Sequence, residues 1–122
     1  MSWVGWGSLI MGLGVAAGAF GAHGLKDVLT PDAKAIYQTA VFYQLIHGLA
    51  LFVIAWLASI KPAEGLIRTA GWAFLLGILL FSGSLYALSL TGVRKWGMVT
   101  PLGGLAFLIG WASLALAARS LP

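Results

Sequence analysis

The stretch Tyr37–Trp56, YQTAVFYQLIHGLALFVIAW, runs for twenty residues without a charge. At a rise of about 1.5 Å per residue it would be about 30 Å long as a helix, the thickness of a bilayer's hydrocarbon core. Tyr43, Gln44 and His47 are set into this apolar run at helical spacing. Such a helix reads as a membrane span, and its polar cluster must find partners on neighbouring helices because lipid offers none.

The rest of the chain repeats the pattern. Its ten charged side chains fall in short clusters and leave uncharged runs at positions 2–25, 35–60, 69–93 and 96–118. Each run exceeds the roughly 18 apolar residues that mark a spanning helix. The 122 residues are 61% hydrophobic and 8% charged, against about 45–50% apolar and 25% charged in soluble domains. The expected fold is all-α: an integral membrane four-helix bundle with short connections. It forms a single transmembrane domain over 1–122, with spans at 3–23, 36–60, 66–90 and 101–118.

The punctuation between spans supports this division. Gly24 follows His23 as a helix C-cap, and Lys26 with Asp27 brings the first charges. Thr30-Pro31-Asp32 reads as an N-cap, a first-turn proline and an acid placed to suit the helix dipole, so the second helix starts at Pro31. Lys61-Pro62 stops it, and Glu64 with Arg68 forms an i, i+4 pair at the start of the third. Thr91-Gly92 ends the third helix, and Thr100-Pro101 repeats the opening of Thr30-Pro31. Trp3, Trp6, Trp56 and Trp72 form an interfacial belt on one face, with Tyr37 and Trp96 on the other, and Trp111 lies deeper as a packing residue. Lys61, Arg68 and Arg119 oppose Lys26, Lys34, Arg94 and Lys95, a balance that sets no orientation.

Composition also excludes function classes. The net charge is +4, but the basic residues are split among turns and the C-terminus, whereas nucleic-acid binding needs a concentrated patch. With no cysteine, disulfides and cysteine-ligated metal or redox motifs are ruled out. No Lys or Arg precedes the first apolar run, which is read as a retained span and not a signal peptide. Gly14-x-x-x-Gly18, Ala17-x-x-x-Gly21, Gly18-x-x-x-Ala22 and Ala106-x-x-x-Gly110 are small-residue spacings that let helices approach closely, within one chain or between copies.

The candidate polar core is His47, Gln44, Tyr43, Ser82, Ser84 and Tyr86. Gln44 and His47 share a face of the second helix near mid-membrane, and they are expected to hydrogen-bond across to Ser82, Ser84 or Tyr86 on the third. A histidine there could instead relay protons or hold a small ligand. Metal binding fails on numbers, because there are two histidines at different depths and no carboxylate within a span. His23 and Lys26 form a candidate helix-end site, with His23 expected on the carbonyls that close the first helix. Ser82 or Ser84 with His47 lacks a third residue to orient the imidazole, so no catalytic set is identified, and no cofactor is expected.

Several segments resemble the YgdD-like family of small four-helix membrane proteins. These are Gly18-Ala19-Phe20-Gly21-Ala22-His23-Gly24-Leu25-Lys26, Thr39-Ala40 with Tyr43-Gln44-Leu45-Ile46-His47, Phe81-Ser82-Gly83-Ser84-Leu85-Tyr86, and Thr100-Pro101-Leu102-Gly103-Gly104. The resemblance implies a multi-pass protein of the bacterial inner membrane with no established reaction. It also marks Gly18–Lys26 and Ser82–Tyr86 as site candidates beside His47. The function expected is that of a non-enzymatic accessory, scaffold or lipid-associated membrane protein. Its partners would be membrane lipid, a second copy, or another membrane protein. The alternative is a small proton or solute carrier working through His47.

Overall fold

The structure, a computed structural model, describes residues 1–122. It contains four long helices, up-down-up-down: α1 (Trp3–His23), α2 (Pro31–Ile60), α3 (Gly65–Thr91) and α4 (Thr100–Ala117). All four are long and apolar enough to cross a membrane. Each helix packs on the next in sequence, and α2 with α3 forms the centre. Ala50, Leu51, Ile54, Ile67, Ala70, Phe74 and Phe107 build a dry core at the end of the bundle that carries the termini. The outward faces present Leu, Val, Ile and Phe side chains, the surface that lipid favours.

Local chemistry sets most of the helix ends. Ser2 Oγ accepts the Gly5 N–H at 3.1 Å to open α1, and Thr30 Oγ1 accepts the Ala33 N–H at 3.2 Å to open α2. Gly92 ends α3 in the left-handed conformation at φ 71°, where a side chain would be strained.

Several boundary expectations are corrected. Gly24 does cap α1 as expected, its N–H donating to the Phe20 carbonyl, but in a right-handed conformation (φ −72°, ψ −30°), and an added Cβ there would strike the Phe20 ring. Thr100 is not an N-cap, because a 3-10 segment, Arg94–Met98, runs almost directly into α4 and leaves the Thr100 hydroxyl free for α3. Glu64 does not take Arg68. Its carboxylate caps α3 by accepting the Leu66 N–H at 3.2 Å and accepts the Ser120 hydroxyl at 2.9 Å. Tyr37 is buried within the bundle and is not an interfacial belt residue, whereas Trp3 and Trp6 do pack edge-on against Trp72, at 5.3 and 6.5 Å.

The third helix is also not uniform. Between Ile78 and Ser82 it widens into one π-helical turn, with the Gly83 N–H reaching back to the Ile78 carbonyl. Gly103 of α4 lies directly on the Phe81 backbone at this turn, where any side chain would collide. Two further glycines complete the α3/α4 contact: Gly77 receives the Phe107 ring and Gly110 receives the Phe74 ring. On the other side of the bundle, Gly7, Gly14 and Gly21 of α1 receive Phe52, Leu45 and Tyr37 of α2. The small residues of α1 thus serve an intramolecular contact, but the glycines used recur every seven residues instead of every four.

Candidate functional site

Gln44 and His47 are both buried on α2, yet they point to different neighbours. Three residues turn a helix through about 300°, so the two side chains diverge by about 60°. The candidate polar core therefore divides in two.

Gln44 joins α1, α2 and α3. Its amide nitrogen donates to the Ile10 carbonyl at 3.0 Å, and its Oε1 accepts the Tyr86 hydroxyl at 2.6 Å. The Ile10 carbonyl can only accept, so it fixes the amide's orientation and leaves Oε1 to accept from the phenol. Tyr37, seven residues before Gln44 on the same face, donates its hydroxyl to the Ala17 carbonyl at 2.6 Å. Its ring meets Tyr86 edge-on at 5.2 Å. Ser82 donates to the Ala40 carbonyl at 2.7 Å, joining α3 to α2 at the wide turn.

His47 faces α4 and bonds to none of Ser82, Ser84 and Tyr86, contrary to expectation. Its Nδ1 lies 2.9 Å from the Tyr43 carbonyl, and its Nε2 accepts the Trp111 indole N–H at 3.1 Å. A carbonyl can only accept and an indole N–H can only donate, so the pair selects the neutral Nδ1–H tautomer. The ring also stacks on Phe107, with centroids 3.6 Å apart and planes within 10°. Tyr43 and Phe81 close the aromatic group at 4.4 Å from each other. Ser84 belongs to this half, with its hydroxyl 2.5 Å from that of Thr100 and 3.0 Å from the Phe81 carbonyl.

Within both halves, no buried side-chain nitrogen or oxygen lacks a hydrogen-bond partner. The site residues missing from the sequence reading are Tyr37, Thr100, Phe107 and Trp111. Tyr37 could have been found from its i, i+7 relation to Gln44, and Phe107 with Trp111 from their i, i+4 pairing on α4. No cluster of three His, Asp or Glu side chains comes together to hold a metal, and His23 is remote from His47.

His23 and Lys26 lie elsewhere, in a groove of about 610 Å³ between α1 and α2. His23 makes no side-chain hydrogen bond to the end of α1, where the Phe20 carbonyl accepts the Gly24 and Leu25 N–H groups at 2.7 and 3.1 Å. Its imidazole is exposed beside Lys26, Lys34, Tyr37 and Gln38.

Comparison with known proteins agrees with this architecture. Residues 17–104 match the family model described as "Protein of unknown function (DUF423)". The chain is 47% identical over 106 residues to the UPF0382 membrane protein YwdK of Bacillus subtilis, covering 87% of this chain and 86% of that one. It is 45% identical over 111 residues to a UPF0382 membrane protein of Staphylococcus epidermidis, covering 91% and 89%. A UPF0382 membrane protein of Haemophilus influenzae is 44% identical over 101 residues, covering 83% and 80%. No solved structure matches significantly. A helical bundle with four apolar spans, related along most of its length to proteins named for the membrane, has no biochemical role established among its relatives, and the chain belongs to the DUF423 family of membrane proteins.

Proposed function

We propose that this is a non-enzymatic accessory protein of the membrane, a scaffold or lipid-associated factor that acts through its outer surface. The observation that supports this reading is that both polar nodes inside the bundle are spent on the bundle itself. Gln44 uses its amide nitrogen and its oxygen to tie three helices together, and both nitrogens of His47 are engaged. A proton or solute carrier would need one of these groups open to its cargo, and His47 has no free ring nitrogen to offer.

The partners on this reading are membrane lipid, a second copy, or another membrane protein seated against the helix faces. The inner membrane is the compartment we assign, because helical spans are the design of that bilayer, whereas the bacterial outer membrane is crossed by β-barrels. The resemblance to YgdD-like proteins of the bacterial inner membrane supports the same assignment.

Reconstitution tests the reading. Liposomes holding wild type, His47→Ala or Gln44→Ala should show the proton and solute permeability of protein-free liposomes. Wild type released in mild detergent should carry bound lipid or run as an assembly. A flux that disappears with His47, or a bare monomer without lipid or partner, would overturn it.

A further inference from the structure

We infer that the groove between α1 and α2 binds one anionic phospholipid, with Lys26 and Lys34 on its phosphate and one acyl chain along Val41, Phe42 and Leu45. The proposal deepens the lipid-associated reading above, and it depends on that reading.

The groove is graded from charged to apolar. Lys26 stands in the turn after α1 and Lys34 in the first turn of α2, so both cations mark the rim at headgroup depth. Asp27 and Asp32 are neighbours in sequence but do not line the groove. His23 and Gln38 add polar groups at the same rim. Below them the lining turns to Val41, Phe42 and Leu45, with Gly18 of α1 forming the opposite wall without a side chain. Lys34 to Leu45 is eleven residues, about 16 Å along a helix, close to half the thickness of a hydrocarbon core. The groove thus runs from headgroup level to mid-membrane, the path of one leaflet's acyl chain.

Its other features fit an occupant drawn from the bilayer. α1 packs chiefly on α2, and the groove is lined only by α1, α2 and the turn between them, so lipid has lateral access. The Tyr37 hydroxyl, at the boundary between polar rim and apolar floor, is already committed to the Ala17 carbonyl. The polar side chains left at the rim are Lys26, Lys34, His23 and Gln38, and the charge of the two lysines selects an anionic headgroup.

The test uses the full chain in mild detergent, incubated with equimolar phosphatidylglycerol and phosphatidylcholine, with bound lipid counted by native mass spectrometry. Wild type should retain phosphatidylglycerol in preference. Each lysine at an anionic headgroup is worth about fivefold, so Lys26→Gln/Lys34→Gln should lower that occupancy about 25-fold. Lys26→Arg/Lys34→Arg should keep it, which guards against a folding defect. Arg94→Gln/Lys95→Gln, at the same membrane face outside the groove, should keep it as well. Undiminished retention in the double glutamine variant, or equal loss in the Arg94 and Lys95 control, would overturn the site. Displacement by excess soluble glycerol phosphate would assign the lysines to a free anion and overturn the lipid. Wild type that binds neither lipid would remove the lipid-associated reading and this site with it, whereas phosphatidylcholine bound without preference would remove this site alone.

Discussion

Gln44 and His47 stand less than one turn apart on α2, yet they close different helix contacts by different means. On the α1 side, closure is by hydrogen bonds to backbone carbonyls and to a phenol: Gln44 to Ile10 and Tyr86, Tyr37 to Ala17. On the α4 side it is aromatic: His47 on Phe107, Phe107 in the notch at Gly77, Phe74 in the notch at Gly110. The glycines differ in the same sense. A Cβ on Gly14 would meet the end of the Leu45 side chain at 2.6 Å, whereas on Gly103 it would meet the Phe81 backbone, with Cα at 2.7 Å. At Gly14 the α1/α2 contact is held by a side chain that can adjust, whereas at Gly103 the α3/α4 contact is a backbone fit that cannot.

The largest expected effect breaks the rigid side. Gly103→Ala should destabilise by about 3 kcal/mol, the upper part of the overpacking range, because the obstructing atoms are backbone in the π-helical turn. Gly14→Ala should cost about 1 kcal/mol or less, since Leu45 can rotate away and alanine gains about 1 kcal/mol over glycine in a helix. Unfolding of both variants in detergent checks the ranking. Equal losses would erase the distinction between the two sides.

A smaller effect comes from the polar pairs themselves. Double-mutant cycles should give about 1.5 kcal/mol for Gln44→Leu with Tyr86→Phe, near the largest interhelical values known, and about 0.5 kcal/mol for His47→Phe with Trp111→Phe. The Gln44 bond is short, and its partner sits between helices. Trp111 is 43% exposed and its ring can turn away, and a phenyl ring at position 47 keeps the stack on Phe107. A reversed order would make His47 the stronger tie and reopen it as the centre of the site.

How far the sequence reveals these features follows from the same geometry. The spans were legible because charge clusters bound each apolar run, and the Gln44 to Tyr86 bond was within the expected set because helix 3 carries its polar groups in one short segment. The partner of His47 was not legible, since depth along the chain made Trp111 a packing residue and says nothing of which neighbour its ring edge meets. Treating Gln44 and His47 as one face ignored their divergence of about 60°, which is enough to send them to different helices. The wide turn at Ile78–Ser82 was also missed. Its trace in the sequence is Ser82-Gly83-Ser84, small residues in an apolar helix, which equally describe close packing. Thr100 misled by analogy with Thr30: the two Thr-Pro pairs are alike in sequence, but the chain enters one from a turn and the other from an existing helical segment.

The smallest effect lies at the wet end of the α4 side, where Glu64 accepts the Leu66 N–H and the Ser120 hydroxyl. The Leu66 bond first, then the Ser120 bond, with Lys61 nearby, holds its carboxyl below its ordinary value of 4.5. The unfolded chain therefore takes up this proton first as pH falls. The stabilisation is complete above the ordinary carboxylate value and is lost as pH drops through the lower folded one. Ser120→Ala should raise the Glu64 titration midpoint part of the way back, because the stronger Leu66 contact remains, and a carbon-13 titration of the carboxyl would record it. The α3/α4 fit should not notice, since Gly103 and Phe107 lie far along α4 from Ser120. An unmoved midpoint would mean that Ser120 does not hold Glu64 in solution, whereas a midpoint shift accompanied by loosening at Phe107 would show that the rigid side depends on its aqueous end.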